Sequence, residues 1–445
     1  MKKFLLVALS LLLVLPFMAF AAGQKESSTA NAGPETVKLT WQIWVTPNLT
    51  RETYDGIVAD FQASHPGVEI ELIELSATSQ ANAADFARER LAAGDLPDIL
   101  SNFTDIPSFA DEGLLWALPA DDPDLKKVKN LMDTAYKGKI YSYMSAIQPQ
   151  GLVYYNKDLW AKSGLTENDI PATWDEFYAV CDKIKSAGFT PLITSGEWVP
   201  VIFMDYMLGG DLTMQFPEFW DDIYAGKLKW NSPEVLKVVK LLDGLVKKGY
   251  FNEGALSLGY AQLEQEFLKG NAVMYPMGSW FTAAEKKASE DGTKSWDCGV
   301  FAPPTSNGKI NVTRSASYGN GYAITSKCEN PEVAFDLIKM ITLDPEYAAS
   351  ALQNDGMYSN TVPPITYPMT KLQEDLQSLL NEADYSMPIL QHRLVLHQPP
   401  KGFGDYLTSA GEALLSQSYS SLEDVMQQLD DFIAQSPEMK EYGQQ

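Results

Sequence analysis

This sequence predicts an α/β protein with more than one domain, on three observations. The chain has 445 residues, more than a single hydrophobic core comfortably organises, so two domains are expected. Beyond residue 36, short apolar runs of period two alternate with runs of period 3.6, at the spacing of βαβ units around a parallel sheet. Apolar residues make up 45% of the chain, which suits an ordinary globular protein and not a disordered or fibrous one.

Val37, Leu39, Trp41, Ile43 and Val45 alternate with Lys38, Thr40, Gln42 and Trp44, which predicts a strand. Trp44 falls on its less apolar face, at its C-terminal end. A helix is expected over 50–64, with Tyr54, Ile57, Val58 and Phe61 on one face, ended by His65-Pro66-Gly67. Val68, Ile70 and Leu72 mark the next strand. Residues 81–93 read as a helix, and 96–100 lead into a third strand. Ligands of such sheets gather outside the carboxyl ends of the strands, and Trp44, Asp98, Asn102 and Thr104 are assigned to those ends. A short helix lies within 106–118, and Lys137-Gly138-Lys139 reads as a hairpin turn. The acidic turn with Asp121, Asp122 and Asp124 lacks the central Gly and closing Glu of an EF-hand loop.

Residues 151–180 form the most informative stretch. Leu152 to Tyr155 read as a strand, Asn156, Lys157 and Asp158 break it, and Leu159 and Trp160 begin a short turn ending at Gly164. Thr173 and Glu176 are spaced for a capping box at the start of a helix over 173–187. Residues 195–219 are rich in aromatics, and Trp198 stands in the polar turn that follows Ser195-Gly196-Glu197. Ser232 and Pro233 read as the cap and first turn of a helix over 234–248 whose inward face is Val235, Val238, Val239, Leu242 and Leu245. Another helix over 260–269 is closed by Gly270. Ala272 to Tyr275 form a buried strand that runs into Gly278-Ser279-Trp280, with a helix beyond. Residues 303–321 read as loop, 322–324 as a strand, 331–342 as a helix and 356–364 as a linker. The C-terminal part is mainly helical, its last apolar face being Leu422, Val425, Met426, Leu429, Phe432 and Ile433.

Residues 1–22 read as a signal peptide: Lys2 and Lys3 precede an apolar run, and Ala19 and Ala21 fit the cleavage rule. The run is short for a membrane anchor. Residues 23–36 read as a disordered leader. No Cys stands near the cleavage point, so a lipid anchor is not expected there. The formal charge of −24 is the reverse of a nucleic-acid footprint. Cys181, Cys298 and Cys328 are too few for a disulfide scaffold; Cys181 is expected to be buried, and a Cys298–Cys328 bridge is open, with no bridge favoured. His65, His392 and His397 are scattered, and no nucleophile elbow, phosphate-binding loop, zinc motif or dinucleotide fingerprint is present. No catalytic residue, metal site or cofactor is expected. Aromatic side chains at turns after strands suit sugar rings, whose apolar faces stack while polar groups take the hydroxyls; phosphate would ask for Arg, Lys or helix N-termini.

Across nearly the whole chain beyond the leader, the sequence resembles the family 1 extracellular solute-binding proteins of ABC importers, the group around maltose- and glycerol-phosphate-binding proteins. The resemblance is carried by Leu96-Pro97-Asp98-Ile99, Gly113-Leu114-Leu115, Tyr155-Asn156-Lys157-Asp158-Leu159, Pro171 to Phe177, Gly270 to Trp280, Gly321-Tyr322-Ala323-Ile324, and Asn330-Pro331 with Ala334, in this order. It implies a type II periplasmic-binding-protein fold: two α/β lobes, a ligand cleft between them, and three hinge crossings, placed near 130–135, 300–312 and 356–362. Lobe one would be 35–132 plus 312–356, and lobe two 133–311 plus 357–445. It further implies carbohydrate binding and delivery to the permease subunits, by a monomer diffusing freely in the periplasm. Glycerol phosphate or a polyol is the alternative ligand; a secreted carbohydrate-active hydrolase or a surface adhesin is the alternative of another class. The positions matching cleft contacts are Trp44, Asp98, Asn102, Gln150, Trp198, Trp280 and the Gly319–Gly321 turn, with Tyr318 and Arg393 beside them. Trp280 is the expected stacking platform.

Overall fold

The structure, a computed structural model, describes residues 36–46, 49–76, 83–103, 105–129, 131, 135–143, 145–315, 321–386, 390 and 399–442. The signal segment and nearly all of the polar leader lie outside them, as do Thr104, Tyr318, Gly319 and Arg393. The described strands are β1 (Val37–Val45), β2 (Val68–Ser76), β3 (Ile99–Ser101), β4 (Ser142–Tyr143), β5 (Ala146–Pro149), β6 (Leu152–Asn156), β7 (Met274–Met277), β8 (Cys298–Phe301), β9 (Asn311–Ser315), β10 (Tyr322–Ile324), β11 (Tyr358–Ser359) and β12 (Asp384–Ser386).

The predicted βαβ start is present. β1 runs parallel to β2 along its whole length and parallel to β3 at Trp41 and Gln42. The five-stranded sheet then closes with β10 and β4, in the order β2-β1-β3-β10-β4, and β10 is antiparallel to both its neighbours. Leu39, Trp41 and Ile43 bury their alternate face against Tyr54, Val58 and Phe61 of helix Arg51–Ser64 and against Leu337 and Ile338 of helix Pro331–Leu343. Trp41 is a packing residue: its ring meets Tyr54 edge-on at 5.3 Å and its Nε1 donates to Ser101 Oγ at 2.8 Å.

A second, three-stranded sheet has β6 at its centre, antiparallel to β7 and β8. All five residues of β6 are buried. Val153 and Tyr155 face helices Trp174–Ser186 and Pro233–Lys247, while Leu152 and Tyr154 face helices Tyr260–Leu268, Phe281–Glu290 and Lys371–Glu382. The capping box forms as the spacing predicts: Thr173 Oγ1 accepts from the Glu176 amide and Glu176 Oε2 accepts from the Thr173 amide at 2.9 Å. Asn156 caps the short helix Lys157–Lys162 through the Leu159 amide, so it is a turn-former. Trp174 is buried and donates to Asp211 at 3.2 Å. Ser232 differs from expectation. Its hydroxyl donates to the Lys229 carbonyl and leaves Pro233 to open the helix.

Between these sheets runs a set of four strands in the order β11-β5-β9-β12. The chain leaves the first sheet at β4, passes along β5 and enters the second at β6. It returns from β8 along β9 to β10, and passes again along β11 to helix Lys371–Glu382. The first passage thus follows β4 and falls later than 130–135. Two of these strands were hidden in the sequence. Residues 303–321 read as loop but contain β9, and 356–364 read as linker but contain β11; Gly and Pro content masked segments that pairing with β5 makes strands. A π-helical segment, Ile202–Leu208, also escaped the sequence reading; it is fully buried and continues into helix Gly209–Gln215. Cys181, Cys298 and Cys328 are buried and free. No helix among the described residues is long and apolar enough to cross a membrane.

Lys294 and Glu285 form an ion pair at 2.9 Å with side chains only 5% and 9% exposed. The Lys294 ammonium also meets the Trp296 carbonyl. Removing one partner of such a pair strands the other charge, whereas replacing both with apolar groups does not. Lys294→Met is expected to lower stability in urea unfolding by about 3–5 kcal/mol, and the double variant Lys294→Met/Glu285→Leu to recover most of it.

Candidate functional site

β7 ends at Met277, and Gly278-Ser279 turn the chain into helix Phe281–Glu290. The Ser279 amide donates to the Pro149 carbonyl at 2.8 Å, which ties this turn to the end of β5. The Trp280 ring folds back over Gly278 so closely that a Cβ at 278 would collide with it. Glycine is required there by close approach. Trp198 stands 36% exposed on a turn held at both ends: the Gly196 amide donates to the Leu258 carbonyl at 3.1 Å, and Glu197 Oε2 accepts from the Tyr260 amide at 3.0 Å. The rings then meet. Trp198 lies 5.0 Å from Tyr260 and 6.1 Å from Trp280, tilted by 55° and 56°. The Trp280 side chain is hydrogen-bonded to the Tyr260 hydroxyl, and that hydroxyl donates to Glu264 Oε2 at 3.4 Å.

Gln148 and Gln150 come from β5 and the residue after it. The Gln148 side-chain amide donates to the Asp355 carbonyl oxygen at 3.1 Å and reaches Asp355 Oδ2 at 3.5 Å. Gln150 is 6% exposed and its Oε1 has no partner. The hydroxyls of Ser279, Thr313 and Tyr275 are likewise buried without partners. Native proteins rarely leave such atoms unpaired. Gln150, Ser279 and Thr313 sit together, since the Gln150 amide donates to the Thr313 carbonyl at 2.9 Å beside the Ser279–Pro149 bond.

Asp355 joins this corner to the first sheet. Gly356, with φ of +59°, lies against the Ser279 carbonyl and Thr282 Oγ1, leaving no room for a side chain. Behind burial, the charge of Asp355 helps raise the Tyr322 hydroxyl above the ordinary phenol value, and it acts more weakly on Tyr54 and Tyr260. Burial pushes Asp355 itself up to about 7, against a lowering contribution from Gln148. Burial likewise pushes Glu264 up to about 7, with Tyr260 opposing.

The sequence-predicted residues divide accordingly. Trp198, Trp280 and Gln150 belong to the aromatic corner. Trp44, Asn102 and Gly321 gather at the carboxyl edge of the first sheet: the Trp44 carbonyl accepts from Tyr54 Oη at 2.8 Å, and Asn102, in the left-handed region at φ 54°, donates its amide to the Gly321 carbonyl at 3.1 Å. Asp98 is not at that edge. It precedes β3, and its Oδ2 is committed to the Thr40 amide and hydroxyl at 2.7 and 2.8 Å, while the Thr40 hydroxyl accepts from the Asp98 amide. This is a clasp between β1 and β3. Tyr318, Gly319 and Arg393 lie outside the described residues. Sequence reasoning missed Tyr54, Gln148, Tyr260, Glu264, Tyr322 and Asp355. Tyr260 and Glu264 share a helix face, which was the one available signal. Among the described residues no group of three or more His, Cys, Asp or Glu side chains could hold a metal ion.

Two outcomes are expected. Asp98→Ala removes the clasp and should lower urea stability by about 2–3 kcal/mol, the scale of hydrogen bonds to a charged group. For Asp355 and Glu264 the sign follows from linkage. Unfolded carboxyls titrate near 4 and these near about 7. The folded protein therefore holds extra protons in that window, and stability falls as pH rises through it. Thermal or urea unfolding should show this fall, with a slope of at most about 1.4 kcal/mol per pH unit for each group. Asp355→Asn and Glu264→Gln should each flatten it.

Residues 56–367 match the family model described as bacterial extracellular solute-binding protein. The multiple sugar-binding protein of Streptococcus mutans serotype c is 23% identical over 387 residues, covering 84% of this chain and 85% of that protein. Among solved structures, a chitin oligosaccharide binding protein superposes with a TM-score of 0.76 at 24% identity, covering 92% of this chain and all of that one. RafE in complex with raffinose superposes with a TM-score of 0.70 at 19% identity, covering 89% of this chain and 98% of that one. The fold is the two-lobed, type II fold of solute-binding proteins. With a match over more than half its length and an architecture to go with it, the chain belongs to the bacterial extracellular solute-binding proteins.

Proposed function

We propose that the protein binds a saccharide outside the cytoplasm and delivers it, chemically unchanged, to the permease subunits of an ABC importer. The observation that carries this reading is the open corner of Trp198, Tyr260 and Trp280, bordered by the unpartnered oxygen of Gln150 and the buried carboxyl of Asp355. A sugar ring presents an apolar face and a rim of hydroxyls. Indole and phenol rings cover the face, and amide and carboxyl oxygens accept from the rim. The names of similar proteins agree with it: one is a multiple sugar-binding protein, one binds a chitin oligosaccharide and one was solved with raffinose.

In this reading one lobe is built on the five-stranded sheet and the other on the three-stranded sheet. The passages β5, β9 and β11 serve as the hinge, and closure brings Trp44, Asn102 and Gly321 over a ring seated on Trp280. Tyr318, Gly319 and Arg393 remain proposed contacts. The segment over 1–22 directs export to the periplasm, where the protein acts as a monomer. Catalysis has no part in this reading.

Calorimetric titration against mono- and oligosaccharides, polyols and glycerol phosphates tests it. At least one saccharide should bind below millimolar concentration. Trp280→Ala should weaken that binding by about tenfold or more, a loss of some 1.4 kcal/mol. Binding of glycerol phosphate alone, or turnover of an oligosaccharide, defeats the reading. Unchanged affinity in Trp280→Ala removes the stacking platform.

A further inference from the structure

We propose that the saccharide carries a protonated amino group, and that Asp355 receives this ammonium beside the Trp280 ring. The proposal rests on the saccharide reading above and names its chemical class.

The argument begins with the company of buried carboxyls. Among the described residues four other acidic side chains are buried: Asp205, Asp211, Asp243 and Glu285. Asp205 accepts from the Leu390 amide at 3.1 Å. Asp211 accepts from Trp174 and from the Ser306 amide and hydroxyl. Asp243 meets Lys247 at 2.7 Å and Glu285 meets Lys294 at 2.9 Å. Asp355, 8% exposed, has only the Gln148 amide, at 3.5 Å from Oδ2. Among the residues whose side chains are described, its surroundings bring no cation. Helix Arg51–Ser64 contributes Tyr54, β10 contributes Tyr322, helix Tyr260–Leu268 contributes Tyr260, and β5 contributes Gln148. Ser279 and Thr282 stand against the neighbouring Gly356.

A second observation points to a ligand at the same place. The Ser279 hydroxyl is fully buried without a partner, beside Gly356, and the Tyr275 hydroxyl is in the same condition near Tyr260 and Glu264. These groups accept or donate once a ligand arrives.

An ammonium answers this arrangement better than a hydroxyl does. Taking a carboxylate out of water is costly, and a neutral hydroxyl offers one hydrogen bond against that cost. An ammonium offers a full opposite charge and three donors. The faces of Trp280 and Tyr260 add cation–π attraction.

The same ammonium chemistry could arrive on an amino sugar or on a free polyamine, and calorimetry separates the two. The probes are glucosamine di- to tetrasaccharides, their N-acetylated counterparts, the unsubstituted glucose oligosaccharides and putrescine, at neutral pH. The free-amine saccharides are expected to bind about tenfold or more tightly than both neutral series. Asp355→Asn should abolish that preference, bringing the free-amine saccharides to the level of the neutral series. Equal or tighter binding of a neutral series to the unaltered protein overturns the ammonium assignment and leaves the saccharide reading standing. Binding of putrescine with no saccharide bound overturns the saccharide reading and leaves the ammonium assignment. The ranking on the unaltered protein decides the matter even if a variant folds poorly.

Discussion

The backbone pairing of β5 with β9 and β11 is the constraint on which the rest depends. Every passage of the chain between the five-stranded and three-stranded sheets runs through this set. Because the passages are hydrogen-bonded to one another, residues distant in sequence arrive side by side. Gln148 and Gln150 come with the first passage, Thr313 with the second, and Asp355 and Gly356 at the start of the third. The Ser279 amide on the Pro149 carbonyl then brings the turn before Trp280 to the same point. A ligand that touches these groups touches all three passages at once, which is how binding energy could bias a hinge.

Around that point the structure spends its rigidity on a few aromatic rings. Trp280 is pressed over a glycine, at the exit of a fully buried strand. Trp198 is exposed but its turn is tied by Glu197 to the start of helix Tyr260–Leu268, and Tyr260 is tied in turn to Trp280 and Glu264. The rings are therefore held by backbone and by hydrogen bonds within the protein. Such preorganisation lowers the ordering cost of association. The unpartnered oxygen of Gln150 and the hydroxyl of Ser279 work in the opposite direction: they cost stability that a ligand's polar groups can return.

The acidity of the chain needs to be separated into two kinds. Most of the −24 charge sits on exposed side chains, some in surface ion pairs such as Lys38–Glu69, and bears on solubility. Asp355 and Glu264 are different in kind, because their carboxyls are removed from water without a basic partner among the described residues. Composition alone cannot distinguish these classes. Only the packing around each carboxyl does.

What the sequence determined by itself is what a dozen neighbouring residues can encode. The alternation in β1, the Thr173–Glu176 capping box, the inward face of helix Pro233–Lys247 and the Gly278-Ser279-Trp280 exit were all legible, because periodicity, capping and turn chemistry act within a few residues. The placement of Trp198 and Trp280 at turns was legible for the same reason: an aromatic at a turn after an apolar run has no obvious core to enter. Asp98 was misplaced because β3 is only three residues long, so a shift of a few positions moves a residue from one end of the sheet to the other. β9 and β11 were illegible because their strand character comes from β5, which lies far away in sequence. Nothing in the residues adjoining Asp355 or Glu264 singles out either carboxyl. Their burial, and with it their chemistry, was decided by which distant segments pack over them, and that is a property of tertiary structure alone.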